Sequence, residues 1–316
     1  MIFNDNKTLS SLLKQYYKEE EGSEKQKEIK SQLTDLSSYI AIDTETTGTN
    51  PRVHQLIELG YVLLDKDYKI TKTLDFKLKR DKNNFPEWND FAEKIHGIPE
   101  KSIKEANGKD IIDLSNISSD MVNTFCGLSK KEAEISDFFQ LLKITRPEFQ
   151  AWNVTFDYSF YDKMLEVNGL GLMDQYFSYS PFDMKTYVKP SVEIGRIELN
   201  VLKDEFPEIF KEGTRMLDGD GNVKVNMNSL NMYFGCNGQY DSNQKPINHS
   251  AIEDIFKSVT NIIGTSMIEA NNSRNQTLQD IKLHEFYSDT FIGEKMKLDI
   301  TKQKDNTKTN ILDLSN

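Results

Sequence analysis

Cysteine is nearly absent from this chain: Cys126 and Cys236 are the only two in 316 residues. That is too few for a disulfide framework or a cysteine-based zinc site, and it points to a reducing compartment. No apolar run approaches the roughly 20 residues a membrane span needs, and the opening MIFNDNKTLS lacks the pattern of a signal peptide. A cytoplasmic protein without membrane association is therefore expected. Positive charge is also in deficit, with 39 Lys and Arg against 50 Asp and Glu, a net charge of −11. This argues against a broad basic surface that grips nucleic acid, though not against a local site whose positive charge comes from bound metal. What remains is ample for a globular protein, since 37% apolar residues can fill a sizeable core.

The segment YIAIDTETTGTNP, residues 39–51, reads as a buried strand that ends in Asp43, Glu45 and four threonines. Side chains two apart in a strand share a face, so Asp43 and Glu45 would stand together. Two carboxylates that close repel each other unless a cation sits between them, and hard oxygen ligands suit magnesium or manganese. A polar strand exit, with Asp43 or Thr44 satisfying backbone donors in a turn, accounts for the same residues. On this stretch alone both readings stand.

Three consecutive strands are expected, because HQLIELGYVLLDKDYKI follows the first and Ile70, Leu74, Phe76 and Leu78 then keep a period of two. Lys66 and Asp67 mark the turn between the second and third, and the whole reads as an antiparallel meander. Residues 1–37 read as one or two exposed helices ahead of the core. Ile135, Phe138, Phe139 and Leu142 form one helical stripe. EFQAWNV is a short strand leading into a helix over FDYSFYDKMLEVNG, which Gly169 can end. LNVLKDEF and SLNMYFG read as short helices. Asp218 to Asn222 between them resembles a calcium loop only superficially, since Val223 and Ser229 stand where that loop needs Gly and Glu, so a hairpin turn is expected. Ile252, Ile255, Phe256, Val259 and Ile263 share one face of a core helix, and residues 269–316 read as a polar, partly disordered extension. The near-repeat of DIIDLSN (110–116) and NILDLSN (310–316) is too sparse for a repeat architecture.

Strands alternating with helices after a meander make an α/β fold, in which function collects at strand ends and helix starts. Three such places carry carboxylates: Asp43 with Glu45, Asp157 at a helix start in WNVTFDYSFYDKML, and Asp254 in HSAIED, five residues after His249. Singly, each has an ordinary explanation, such as helix capping for Asp157 or a solvated surface for His249 and Asp254. Together, the order D-x-E, then N-x-x-F-D-x-x-F, then H-x-A-x-x-D closely resembles the DEDDh (DnaQ-like) 3′-5′ exonuclease family of the RNase H-like superfamily. KIHGIPEKSI, with His96 and Gly97, resembles a secondary marker of that family, and SPFDMKTYVKP a segment between its second and third motifs. The resemblance covers about residues 38–268, expected to be the exonuclease domain, with 1–37 as an N-terminal helical extension. One departure is Trp152-Asn153-Val154, where the family usually carries His-Asn-Ala or His-Asn-Gly.

The resemblance implies an RNase H-like mixed sheet, a three-strand antiparallel meander plus parallel strands, flanked by helices. It implies two divalent cations, Mg2+ or Mn2+, held by Asp43, Glu45, Asp157 and Asp254, with His249 as the general base. Thr46, Thr47, Asn153 and Phe160 are the expected substrate contacts. His54 and His284 read as surface residues, and His96 as packing of its loop. The expected substrate is the 3′ end of a nucleic acid single strand, with DNA favoured over RNA, although the motifs themselves do not separate the two, because a metal site reads phosphate and not sugar. A ribonuclease of the same family and a non-catalytic binding module on this fold are the alternatives. A polymerase or sliding clamp is a candidate partner, because Leu-Asp-Leu near the C-terminus weakly resembles clamp-binding peptides, with an inert end as the favoured alternative.

Overall fold

The computed structural model describes residues 5–104, 111–117, 130–214, 216–235 and 250–271. Two compact units emerge, one comprising residues 3–185 and 248–258, the other residues 1–2, 186–247 and 259–316.

The first unit opens with helices α1 (Asp5–Tyr16) and α2 (Glu24–Asp35), the second capped by the Ser23 hydroxyl. Strands β1 (Tyr39–Thr46), β2 (Leu56–Leu64) and β3 (Ile70–Leu78) follow as the antiparallel meander that the period-two pattern foretold. Next come α3 (Asp90–His96), β4 (Ile111–Ile112), α4 (Lys130–Thr145) and β5 (Glu148–Ala151). The series continues with α5 (Val154–Val167), α6 (Met173–Tyr176), β6 (Phe182–Asp183) and the start of α7 (Met184–Glu193). The six strands make one mixed sheet in the order β4-β3-β2-β1-β5-β6, in which β2 alone runs against the others. A meander continued by parallel strands and flanked by helices is the architecture the sequence implied.

The core explains why these elements form. All nine residues of β2 are buried, and Tyr61 meets Phe76, Phe138 and Tyr161, its hydroxyl donating to that of Tyr161 at 2.8 Å. The stripe read on α4, Ile135, Phe138, Phe139 and Leu142, is buried in the same cluster. Gly169 takes φ +63° just past α5, the left-handed position that ends a helix most easily without a Cβ. One expectation needs correction: α1 and α2 are not exposed appendages. Leu9, Ile29 and Leu33 lie in the main core, and the Thr71 hydroxyl of β3 donates to the Leu36 carbonyl. Ile29 and Leu33, four apart, give α2 one narrow apolar edge, which sufficed for burial despite the surrounding charge.

The second unit contains most of α7, then α8 (Leu202–Glu205), α9 (Met227–Tyr233) and the later turns of α10 (Ala251–Asn271). Between α8 and α9 the expected hairpin turn is present: Leu217 bridges Val223, and the Asp218 N–H donates to the Asn222 carbonyl at 2.8 Å. α10 is fixed within this unit by Phe234, whose ring lies where a Cβ at Gly264 would stand, and by the Asn261 amide donating to the Met227 carbonyl. Among the described residues no helix is long and apolar enough to cross a membrane. Cys126, Cys236, His249, His284 and the C-terminal residues 310–316 lie outside the described residues.

Candidate functional site

Parallel pairing of β1 with β5, and of β5 with β6, brings the C-terminal ends of these strands to one edge of the sheet, where α/β folds place their sites. Asp43 and Glu45 sit at the end of β1, and Asp157 lies in the first turn of α5, directly after β5. Asp183 ends β6. Asp254 arrives from the first turn of α10, whose residues to Ser258 belong to this same unit. The carboxylates of Asp43, Glu45 and Asp254 offer oxygens that all lie within 4.8 Å of one another. Every donor is a carboxylate oxygen, a hard ligand set that fits Mg2+ or Mn2+.

Electrostatics shows how crowded this cluster is. Burial, then the charges of Asp157, Asp254 and Glu45, push the Asp43 carboxyl well above its usual range. Burial, then Asp254, Glu58 and Asp157, push Glu45 up to about 9. Asp157 is raised to about 7, mainly by burial, against hydrogen bonds that favour its charged form. One of these comes from Thr44, whose hydroxyl donates to Asp157 Oδ1 at 2.9 Å. Like charges held this closely in a buried setting favour protons or a metal ion over bare carboxylates.

Several residues at the site escaped the sequence reading. Thr44 is one. Glu58 is another: it stands opposite Glu45 in the β1–β2 register, pairs with Lys77 at 2.8 Å and accepts the Ala251 N–H at 3.3 Å. It thereby ties the start of α10 to the sheet. A charged residue inside the otherwise apolar run LIELGYVLL was the available signal. Gly60 faces Asp43, and a Cβ there would lie 2.8 Å from Ile252 N and 2.9 Å from the Ala251 carbonyl carbon. Close approach of α10 therefore requires glycine. Lys257 completes the group, its Nζ 2.5 Å from Asp254 Oδ1.

The expected substrate contacts fare differently. Asn153 is exposed and its side chain does not cap α5. The Thr46 hydroxyl donates to the Gly48 carbonyl at 2.6 Å. Thr47 is fully buried, its hydroxyl donating to the Glu87 carbonyl and accepting the Gln55 N–H, so it anchors a loop. Phe160 is 2% exposed and packs 4.9 Å from Phe156, so its ring belongs to the core and is not offered to a base. Trp152 is half-buried. His54, expected at the surface, is instead buried: its Nδ1 accepts the Asn50 N–H, and its ring lies against Gly48, where a Cβ would come within 2.4 Å. His96 packs its loop as expected, with Nδ1 accepting the Ile98 N–H and its pKa lowered chiefly by burial.

The chain resembles, at the level of solved structures, Escherichia coli exonuclease I in complex with a dT13 oligonucleotide (16% identity, TM-score 0.45, 77% of this chain and 43% of that one). The same enzyme with a dA16 oligonucleotide gives 12% identity, a TM-score of 0.47, and 78% and 43% coverage. A moderately thermophilic exonuclease I from Methylocaldum szegediense gives 14%, 0.47, and 75% and 42%. The chain thus spans less than half the length of these proteins. No curated protein matches the sequence. The family model RNase_T, described as Exonuclease, matches residues 40–110. Over that segment, which holds the meander with Asp43 and Glu45, the chain carries the sequence pattern of the RNase_T exonuclease family.

Proposed function

We propose that this protein is a metal-dependent 3′-5′ exonuclease acting on single-stranded DNA. The observation that carries the reading is the convergence of Asp43, Glu45 and Asp254, from β1 and α10, to within 4.8 Å, with the exonuclease pattern over 40–110 in support. Asp43, Glu45, Asp157 and Asp254 would hold the divalent cations, which would supply activation of a water and electrostatic stabilisation of the charge that develops in phosphodiester hydrolysis. Glu45, Asp157 and Asp254 are buried and Asp43 is half-buried, so cations held there would meet a largely preorganised ligand set. Thr44 orients Asp157 through its hydroxyl, and Glu58 holds the start of α10 so that Asp254 meets β1. His249, two residues before that helix in the sequence, takes the proton of the attacking water, a general-base task that imidazole commonly serves. Asn153, exposed at the N-cap of α5, contacts the terminal nucleotide.

The test is incubation of 5′-labelled DNA and RNA single strands with the full chain and Mn2+, with and without chelator. A ladder shortening from the 3′ end, faster on DNA and abolished by chelation, is the expected result. A faster ladder on RNA moves the substrate to RNA while keeping the chemistry. Shortening from the 5′ end, or cleavage that survives chelation, overturns the reading.

A further inference from the structure

Lys257 follows Asp254 by one helical turn on α10, and its Nζ lies 2.5 Å from Asp254 Oδ1. Both side chains are buried, 9% and 7% exposed, so the ammonium is no swinging surface lysine but a fixed part of the interior. Lysine in such a position is rare unless paired, and here its partner is one of the three carboxylates that converge. One Asp254 oxygen is therefore already occupied by a positive charge. That charge also acts beyond Asp254, because carboxylate oxygens of Asp43 and Glu45 lie within 4.8 Å of that residue's.

We propose that Lys257 is the resident cation of the acidic cluster: it holds the carboxylates together before metal arrives and lowers the affinity with which divalent ions enter. The inference rests on the metal-site reading above. Its physical basis is Coulombic. A buried ammonium partly offsets the mutual repulsion of the carboxylates, and a divalent ion entering beside it meets a repulsion twice that felt by a proton. The lysine therefore acts on the metal through Asp254 and through its field, a positioning residue and not itself a ligand.

Calorimetric titration of the full, chelator-treated chain with Mn2+ alone decides the matter. Lys257→Gln, which retains a hydrogen-bond donor toward Asp254, and Lys257→Met should each bind Mn2+ at least tenfold more tightly than the wild type. Lys257→Arg, which retains the charge, should stay within about threefold of it. Neutral variants that bind with unchanged or weaker affinity overturn the inference, as does an arginine variant that tightens like the neutral ones. Far-ultraviolet circular dichroism checks that each protein is folded, and the glutamine variant carries the test if methionine does not fold. Absence of Mn2+ binding by the wild type defeats the metal-site reading itself and this inference with it. Binding by the wild type with no tightening in the variants defeats only the inference.

Discussion

Glu45 stands directly across from Glu58 on neighbouring antiparallel strands, a pairing of like charges that sheets normally avoid. Lys77 offsets Glu58 on one side, while Glu45 is buried beside Asp254, Glu58 and Asp157, and burial first, then those charges, push its pKa up to about 9. The consequence for stability has a definite sign. Glu45 keeps its proton in the folded, metal-free protein after the unfolded chain has lost its own, so stability falls as pH rises from about 4.5 to about 9. Below that window the penalty is absent. Thermal denaturation in chelator should show this fall, and Glu45→Gln should flatten it; a wild-type curve that rises through the window would contradict the electrostatics. Thr44 yields a second prediction. Thr44→Val removes the hydroxyl that donates to Asp157 and should lower Mn2+ affinity by about 10–100-fold, the usual range for a partner that orients a ligand. Unchanged affinity in the titration would show that Asp157 needs no orienting. Asp43, Glu45 and Asp157 were legible in the sequence because strand period and motif spacing mark them. Lys257 was not, since a lone lysine on a helix looks like any solvated one until the helix is packed.

At the scale of elements, α10 and the meander form one device. Gly60 lets the start of α10 lie against β2, and Glu58, two residues away on the same face, accepts its Ala251 N–H. Gly60→Ala would set a methyl within 2.8 Å of backbone that cannot rotate away, so the helix must shift. We expect a loss of about 1–3 kcal/mol in stability, typical of overpacking. A larger relative loss in Mn2+ affinity should accompany it, because Asp254 travels with α10. Chemical denaturation and metal titration of the same variant check both, and lost stability with intact metal binding would show that α10 is placed by other contacts. The meander was readable from the aliphatic run of β2 and the period-two alternation of β3. Strands β4 and β6 were not, for two residues carry no period. α3 was noticed only as the Ile-His-Gly-Ile marker, although Asn89 caps its start and Gly97 ends it at φ +69°. The burial of α1 and α2 was hidden because few leucines and isoleucines stand among many charges, and only the packing shows that those few suffice.

Across the whole molecule, a net charge of −11 sets how nucleic acid can be held. Net negative charge opposes the approach of a phosphodiester strand, so its affinity should come largely from cations bound at the carboxylates. A short DNA strand should therefore bind at least tenfold more tightly in Ca2+, which occupies oxygen sites, than in chelator. Equal binding in the two conditions, measured by fluorescence anisotropy, would place the affinity elsewhere on the chain. The central claim, that the converging carboxylates hold the metal that drives hydrolysis, is tested most directly by the rate at which Asp254→Asn shortens a 5′-labelled strand at saturating Mn2+. A loss of about 10³-fold against wild type, or about 4 kcal/mol at 1.36 kcal/mol per decade, is the predicted result. A variant that folds and still shortens the strand within about threefold of the wild-type rate would contradict the account.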